Sequence, residues 1–206
     1  MIKNIIFDVG DVLVEYRWMD MMLDHGLAPE DARRIGTEMF DSYLWADVLD
    51  LGLMSVDEVI QEYHREFPED GDQIEWFIRH GEQMHVPRPE IWEKVARLKM
   101  KGFNIYLLSN YSEFLFKKHT DGASFWPYID GRVVSYEIHK GKPDPAIYHY
   151  LLERYGILPE ESLFLDDKEE NIAAARELGI HGIQVTSREF LNQELDRILE
   201  GGQKSI

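Results

Sequence analysis

The chain has 206 residues, 44% of them hydrophobic and 12% aromatic, enough for one full core and a small extra module. Its formal net charge of −17 argues against nucleic acid, whose phosphates demand clustered Lys and Arg, and against anionic membranes. Cysteine is absent, which excludes disulfides and thiolate zinc sites.

An anionic substrate would need a local cation, because the global field repels it. The opening residues run straight into an apolar strand with no basic-then-apolar leader, and no apolar run is long enough to span a bilayer, so a cytoplasmic protein is expected. The first predicted strand, residues 4–8, delivers the carboxylate of Asp8, with Gly10 two places on and Asp11 after it. A carboxylate at the end of a buried strand is costly to desolvate without a partner. In an open α/β sheet, that same end is where ligands collect. Asp8 is therefore either a misplaced surface residue or the centre of an active site, and the rest of the chain favours the second. Strand alternation would aim Asp11 away from the Asp8 side.

Residues 17–86 carry no convincing strand. They read as a helical bundle inserted after the first strand, with Trp18, Met19, Met21, Met22 and Trp45 as its core and Trp45 also the best candidate to line a pocket. Ser55 followed by Glu58 has the form of a capping box, and the acidic run from Glu66 to Asp72 is expected to be solvated. The eight histidines lack metal-ligand spacing; His25, His80, His85 and His139 read as surface or bundle residues. Beyond the insertion, helical patterns at 88–101, 111–119, 144–155, 169–178 and 187–199 alternate with strands at 103–109, 132–135, 162–166 and 181–185. Such alternation predicts an α/β fold with a parallel sheet. The tail, residues 201–206, is expected to fray.

Four groups stand at strand ends: Asp8; Ser109 with Asn110; Lys142, ahead of a helix whose first turn Pro143 suits; and Asp166 with Asp167. A parallel sheet puts all these ends on one edge. Three aspartates make a hard oxygen site suited to Mg²⁺, a lysine offsets phosphoryl charge, and a serine hydroxyl with nearby N–H groups can bind phosphoryl oxygens. That is the equipment for attack on phosphorus by a carboxylate. Asp166 or Asp167 can also cap the helix that follows, and Asn171 either orients Asp167 or simply packs.

These motifs, in order along nearly the whole chain, resemble the haloacid dehalogenase superfamily in its branch with a helical cap (subfamily IA), and within it small sugar-phosphate phosphatases. Lys142-Pro-Asp-Pro-Ala-Ile-Tyr and Leu165-Asp-Asp-Lys-Glu-Glu-Asn-Ile-Ala-Ala-Ala are especially close to the family pattern. The resemblance implies a Rossmann-like core of residues 1–16 and 87–206, a cap of residues 17–86, and a Mg²⁺-dependent phosphatase of a small phosphorylated metabolite. It implies Asp8 as nucleophile and Ser109 as phosphoryl ligand beside the Asn110 backbone. Lys142 would stabilise nucleophile and transition state, and Mg²⁺ would be held by Asp8, the Gly10 carbonyl, Asp167 and, directly or through water, Asp166. Substrate binding would fall to Ser109, Asn110, Lys142 and Trp45, in a monomer or homodimer.

One departure stands out. Family phosphatases usually carry a second aspartate at the position of Gly10 as general acid and base. Its loss would cost roughly 10²–10⁴ in rate unless the leaving group is good, as in an anomeric phosphate, or the cap supplies the proton. The alternatives are a 2-haloacid dehalogenase, for which the Asp166–Asp167 pair has no use, a phosphomutase, which Gly10 disfavours, and a catalytically weak binding or regulatory member.

Overall fold

The computed structural model describes residues 1–201; of the tail expected to fray, only Gly201, the end of the last helix, falls within them. A parallel sheet of five strands forms the centre: β1 (Asn4–Phe7), β4 (Asn104–Ser109), β5 (Gly131–Val134), β6 (Ser162–Asp166) and β7 (His181–Gln184), in the order β5-β4-β1-β6-β7. Successive residues of the strands enter opposite cores. Ile5, Phe7, Ile105 and Leu107 face one cluster, while Ile6, Tyr106 and Leu108 face the other. Both faces are therefore covered, which is why these strands read as continuous apolar runs.

The connecting helices are α5 (Pro89–Met100), α6 (Glu113–Thr120), the short α7 (Ser135–Ile138), α8 (Pro145–Tyr155), α9 (Glu169–Glu177) and α10 (Arg188–Gly201). Their ends follow local chemistry. Proline opens α5 and α8 at the first helical position, where its missing N–H costs nothing, and Gly156 ends α8 in the left-handed region at φ 61°. The proline that suits the first turn of α8 is Pro145, with Asp144 as N-cap; Pro143 lies before the helix.

Residues 18–79 form α1 (Trp18–Asp24), α2 (Pro29–Asp41), a π-helical turn at Leu44–Leu49, α3 (Val56–Glu66) and α4 (Gly71–Arg79). The capping box at Ser55 and Glu58 is present. The sequence reading missed a neck: β2 (Val14–Tyr16) pairs antiparallel with β3 (His85–Pro87), joining the points where the chain leaves and re-enters the core. Three residues per strand are too few to show alternation. Met21 and Met22 are buried in the bundle as expected, whereas Trp18, Met19 and Trp45 are only half-buried. No helix among the described residues is long and apolar enough to cross a membrane.

Strand order reverses around β1. The chain runs from β1 to β4 and β5 on one side, then crosses to β6 and β7 on the other. The carboxyl end of β1 is thus a topological switch point, where an open α/β sheet leaves a crevice. Phe7 is level with both Leu107 and Leu165, so Asp8, Ser109 and Asp166 emerge together at that crevice.

Candidate active site

Asp8, Lys142 and Asp166 are respectively 7%, 6% and 0% exposed, so each charge requires a partner. The Lys142 ammonium lies 3.0 Å from Asp8 Oδ1 and 2.5 Å from Asp166 Oδ2. The Ser109 hydroxyl donates to Asp8 Oδ1 at 2.5 Å, and the Val9 N–H donates to the same oxygen at 2.7 Å. Asn110 clamps the loop that carries the lysine: its amide donates to the Lys142 carbonyl and accepts from the Lys142 N–H, both at 2.8 Å. The Asn110 side chain is therefore occupied in placing Lys142.

Asp166 is saturated by the protein. Besides the lysine, it accepts from the Lys168 N–H at 2.8 Å and from the Asn171 amide at 2.9 and 3.1 Å. Asn171 thus orients Asp166 rather than Asp167. Asp167 is half-buried on the cavity wall. Neither aspartate caps the following helix, whose N-cap is Lys168.

Burial pushes the Asp8 carboxyl up to about 7 despite the opposing pull of Lys142, with Asp166 and Asp167 adding to the rise. Burial and then Asp166 push Asp167 up to about 6. Burial works against the Lys142 ammonium, yet Asp166 and Asp8 hold it above the usual lysine value. Three carboxylates thus share one ammonium. Carboxylate oxygens of Asp8, Asp166 and Asp167 lie within 4.8 Å of one another, a hard-donor cluster able to bind a metal ion. The donor set and its excess negative charge fit a divalent cation.

A cavity of about 450 Å³ opens above Asp8 between sheet and helical insertion. Gly10, Asp167 and Lys142 form its floor; Trp18, Phe40 and Trp45 of the insertion form its roof, so Trp45 stands where a pocket residue was expected. Asp11 also reaches the cavity, against expectation. The chain is not extended there: Asp11 adopts the left-handed region at φ 51°, which Asp tolerates better than most residues, and alternation no longer applies. Its carboxylate accepts the Tyr16 N–H at 3.0 Å.

Tyr16, Tyr111 and Asp50 line the cavity too, and the motifs did not reveal them. Asp50, at the end of the π-helical turn, accepts the Ser112 N–H at 3.0 Å, and burial pushes it up to about 7. His139, whose side chain is exposed, donates from its ring to the Leu51 carbonyl at 2.8 Å. The only sequence signal toward any of these residues was the anomaly at Gly10.

The arrangement can present a carboxylate nucleophile to phosphorus, with a lysine, a hydroxyl and a metal-binding carboxylate cluster around it. The family model for haloacid dehalogenase-like hydrolases matches residues 2–179. The chain is 28% identical to D-ribitol-5-phosphate phosphatase of Bacteroides thetaiotaomicron, over 97% of this chain and 99% of that protein. It is 29% identical to phosphoglycolate phosphatase of Aquifex aeolicus, over 86% and 81% of the two chains. A HAD family enzyme of B. thetaiotaomicron, solved as a magnesium complex, superposes with a TM-score of 0.68 at 26% identity, covering 89% of this chain and 93% of that one. A family model spanning most of the chain, over a sheet that gathers the four motif groups at one switch point, shows that this chain belongs to the haloacid dehalogenase-like hydrolases.

Proposed function

We propose that this chain is a Mg²⁺-dependent phosphatase that hydrolyses a small phosphorylated metabolite, a sugar phosphate by class, through an aspartyl-phosphate on Asp8. The observation that carries this reading is the convergence of Lys142 and Ser109 on one oxygen of Asp8, beside the Asp166–Asp167 pair. The names of the two relatives, each matched over most of its length, support it.

In this reading Asp8 attacks phosphorus, the alcohol departs, and water then hydrolyses the acyl phosphate and restores the carboxylate. The Ser109 hydroxyl turns from Asp8 to a phosphoryl oxygen, joined by the Asn110 backbone N–H, while Lys142 offsets the charge shared by nucleophile and phosphate. Asp8, Asp167 and the Gly10 carbonyl would hold the metal, and Asp166 would act mainly by holding Lys142. When bound, Mg²⁺ supplies positive charge against the phosphoryl oxygens and the nucleophile.

Residues 17–86 would serve as a cap that shuts out water and selects the substrate. Its aromatic rings offer faces for the C–H side of a sugar, and Asp50 offers an acceptor for a hydroxyl. The absence of a carboxyl at position 10 favours a good leaving group, so an anomeric phosphate should be turned over faster than a primary one. Equal turnover of the two would remove that refinement. In the same reading the enzyme is a cytoplasmic monomer or homodimer, and the net charge of −17 supports free small molecules over nucleic acid or membranes.

Phosphate release from p-nitrophenyl phosphate and a sugar-phosphate panel, with Mg²⁺ and with EDTA, tests the proposal. Metal-dependent release that Asp8→Asn abolishes is expected. Turnover by Asp8→Asn, or chloride release from 2-haloacids without metal, would overturn it.

A further inference from the structure

Past the end of β1, both Asp8 and Gly10 line the cavity. A Cβ built on Gly10 would stand 2.6 Å from the Tyr16 hydroxyl oxygen and 2.7 Å from ring carbon Cε2. The phenol occupies the space that any side chain at position 10 would enter. We propose that the Tyr16 hydroxyl is the hydrogen-bond donor to the leaving-group oxygen of the phosphate ester, in the place that a side chain at position 10 would otherwise take. This rests on the reading of Asp8 as nucleophile.

The surroundings hold Tyr16 as a donor. Its backbone is fixed by pairing with His85 in the neck and by the hydrogen bond to Asp11. Behind it lies Tyr111, its ring centroid 6.2 Å from that of Tyr16. Tyr111 pairs with His119 Nδ1 at 2.8 Å, and His119 Nε2 faces the Gly81 carbonyl at 2.7 Å. A carbonyl can only accept, so Nε2 carries the ring proton, Nδ1 accepts, and the Tyr111 proton is committed to His119. Tyr111 then has no proton to offer Tyr16. Tyr16, which lines the cavity, keeps its hydroxyl proton for an incoming ester oxygen.

In the step itself, the Asp8–phosphorus bond forms as the bond to the ester oxygen breaks. The electron pair stays on the ester oxygen, whose charge the Tyr16 O–H stabilises, and the alkoxide takes a proton from solvent water to leave as the alcohol. Attack of water on the aspartyl-phosphate releases the balancing proton, and Tyr16 keeps its own.

Aryl and alkyl phosphates ordered by leaving-group basicity test this, comparing Tyr16→Phe, Asp11→Asn and wild type in Mg²⁺, with circular dichroism as the check on folding. The loss of kcat in Tyr16→Phe should grow along the series, reaching about 10²-fold at the most basic leaving group and exceeding the loss on p-nitrophenyl phosphate at least tenfold. A uniform loss across the series, or a graded loss in Asp11→Asn and not in Tyr16→Phe, would overturn the proposal. The space itself is tested with Gly10→Asp. Alone it should lower alkyl-phosphate turnover; combined with Tyr16→Ala it should exceed Tyr16→Ala alone. A gain from Gly10→Asp alone would show the space to be open and overturn the proposal. Asp8→Asn serves as the separate control, because its turnover would sink the nucleophile reading whatever Tyr16 does.

Discussion

The carboxyl groups around Lys142 differ because their donors differ. Asp166 is fully engaged by a lysine, a backbone N–H and the Asn171 amide, whereas Asp8 shares the same lysine with Ser109 and opens onto the cavity. One is a fixed support and the other is poised to react. His119 shows the same logic for a base. Burial lowers its pKa to about 4 from 6.5, so the native state holds it neutral. A base whose native pKa lies below its unfolded value leaves more protons on the unfolded chain at low pH. Its contribution is therefore complete above pH 6.5 and is lost as pH falls from 6.5 toward 4, by roughly 3 kcal/mol at most. Urea unfolding at pH 7.5 and pH 4.5 should show that loss in wild type and a smaller one in His119→Gln.

At the scale of elements, two groups of hydrogen bonds tie the turn after β1 and the helical insertion to the core. Arg88, just before α5, donates to the carbonyls of Asp11 at 2.6 Å and Val12 at 3.2 Å, and the Trp92 indole donates to the Leu13 carbonyl at 2.7 Å. The turn that carries Gly10 and Asp11 is thereby held by the segment where the chain re-enters the core. On the far side, Asp50 accepts the Ser112 N–H ahead of α6, and Ser135 donates to the Asp50 carbonyl. Burial raises the Asp50 pKa to about 7 from 3.8, so its charge costs native stability progressively above pH 3.8 and fully above about 7. Asp50→Asn keeps the acceptor for Ser112 without the charge. At pH 8 it should raise stability by about 1 kcal/mol, less than the shift alone implies because the side chain is half-exposed, and Tm by about 3 °C. At pH 4 thermal melts of the two proteins should coincide.

For the whole molecule, the sheet gathers carboxylates into a protein that already carries a net charge of −17. A cation that binds only the folded chain stabilises it by mass action. Saturating Mg²⁺ should raise Tm by about 5–10 °C, corresponding to about 2.7 kcal/mol at a hundredfold excess over Kd. EDTA should reverse the rise, and Asp167→Asn should abolish it. An unchanged Tm in wild type would count against a divalent ion in the carboxylate cluster.

Much of this was legible in the chain itself. The five strands and the helices between them follow from apolar runs and turn residues, which act locally. Asp8, Ser109 and Asp166–Asp167 were recognisable because a parallel sheet sends every strand end to one edge, whereas Lys142 stands not at a strand end but in the loop between α7 and α8, and its motif alone marked it. Three things only the tertiary structure decided. The neck strands β2 and β3 are too short to carry a pattern and exist because they pair across some seventy residues of chain. Asp11 turns into the cavity because its backbone is left-handed at φ 51°, a conformation that strand alternation does not describe. Tyr16 fills the space beside Gly10 because the neck swings it back over the end of β1. Local sequence specifies which elements form and which groups they carry; which side chain occupies a shared space depends on packing between segments far apart along the chain.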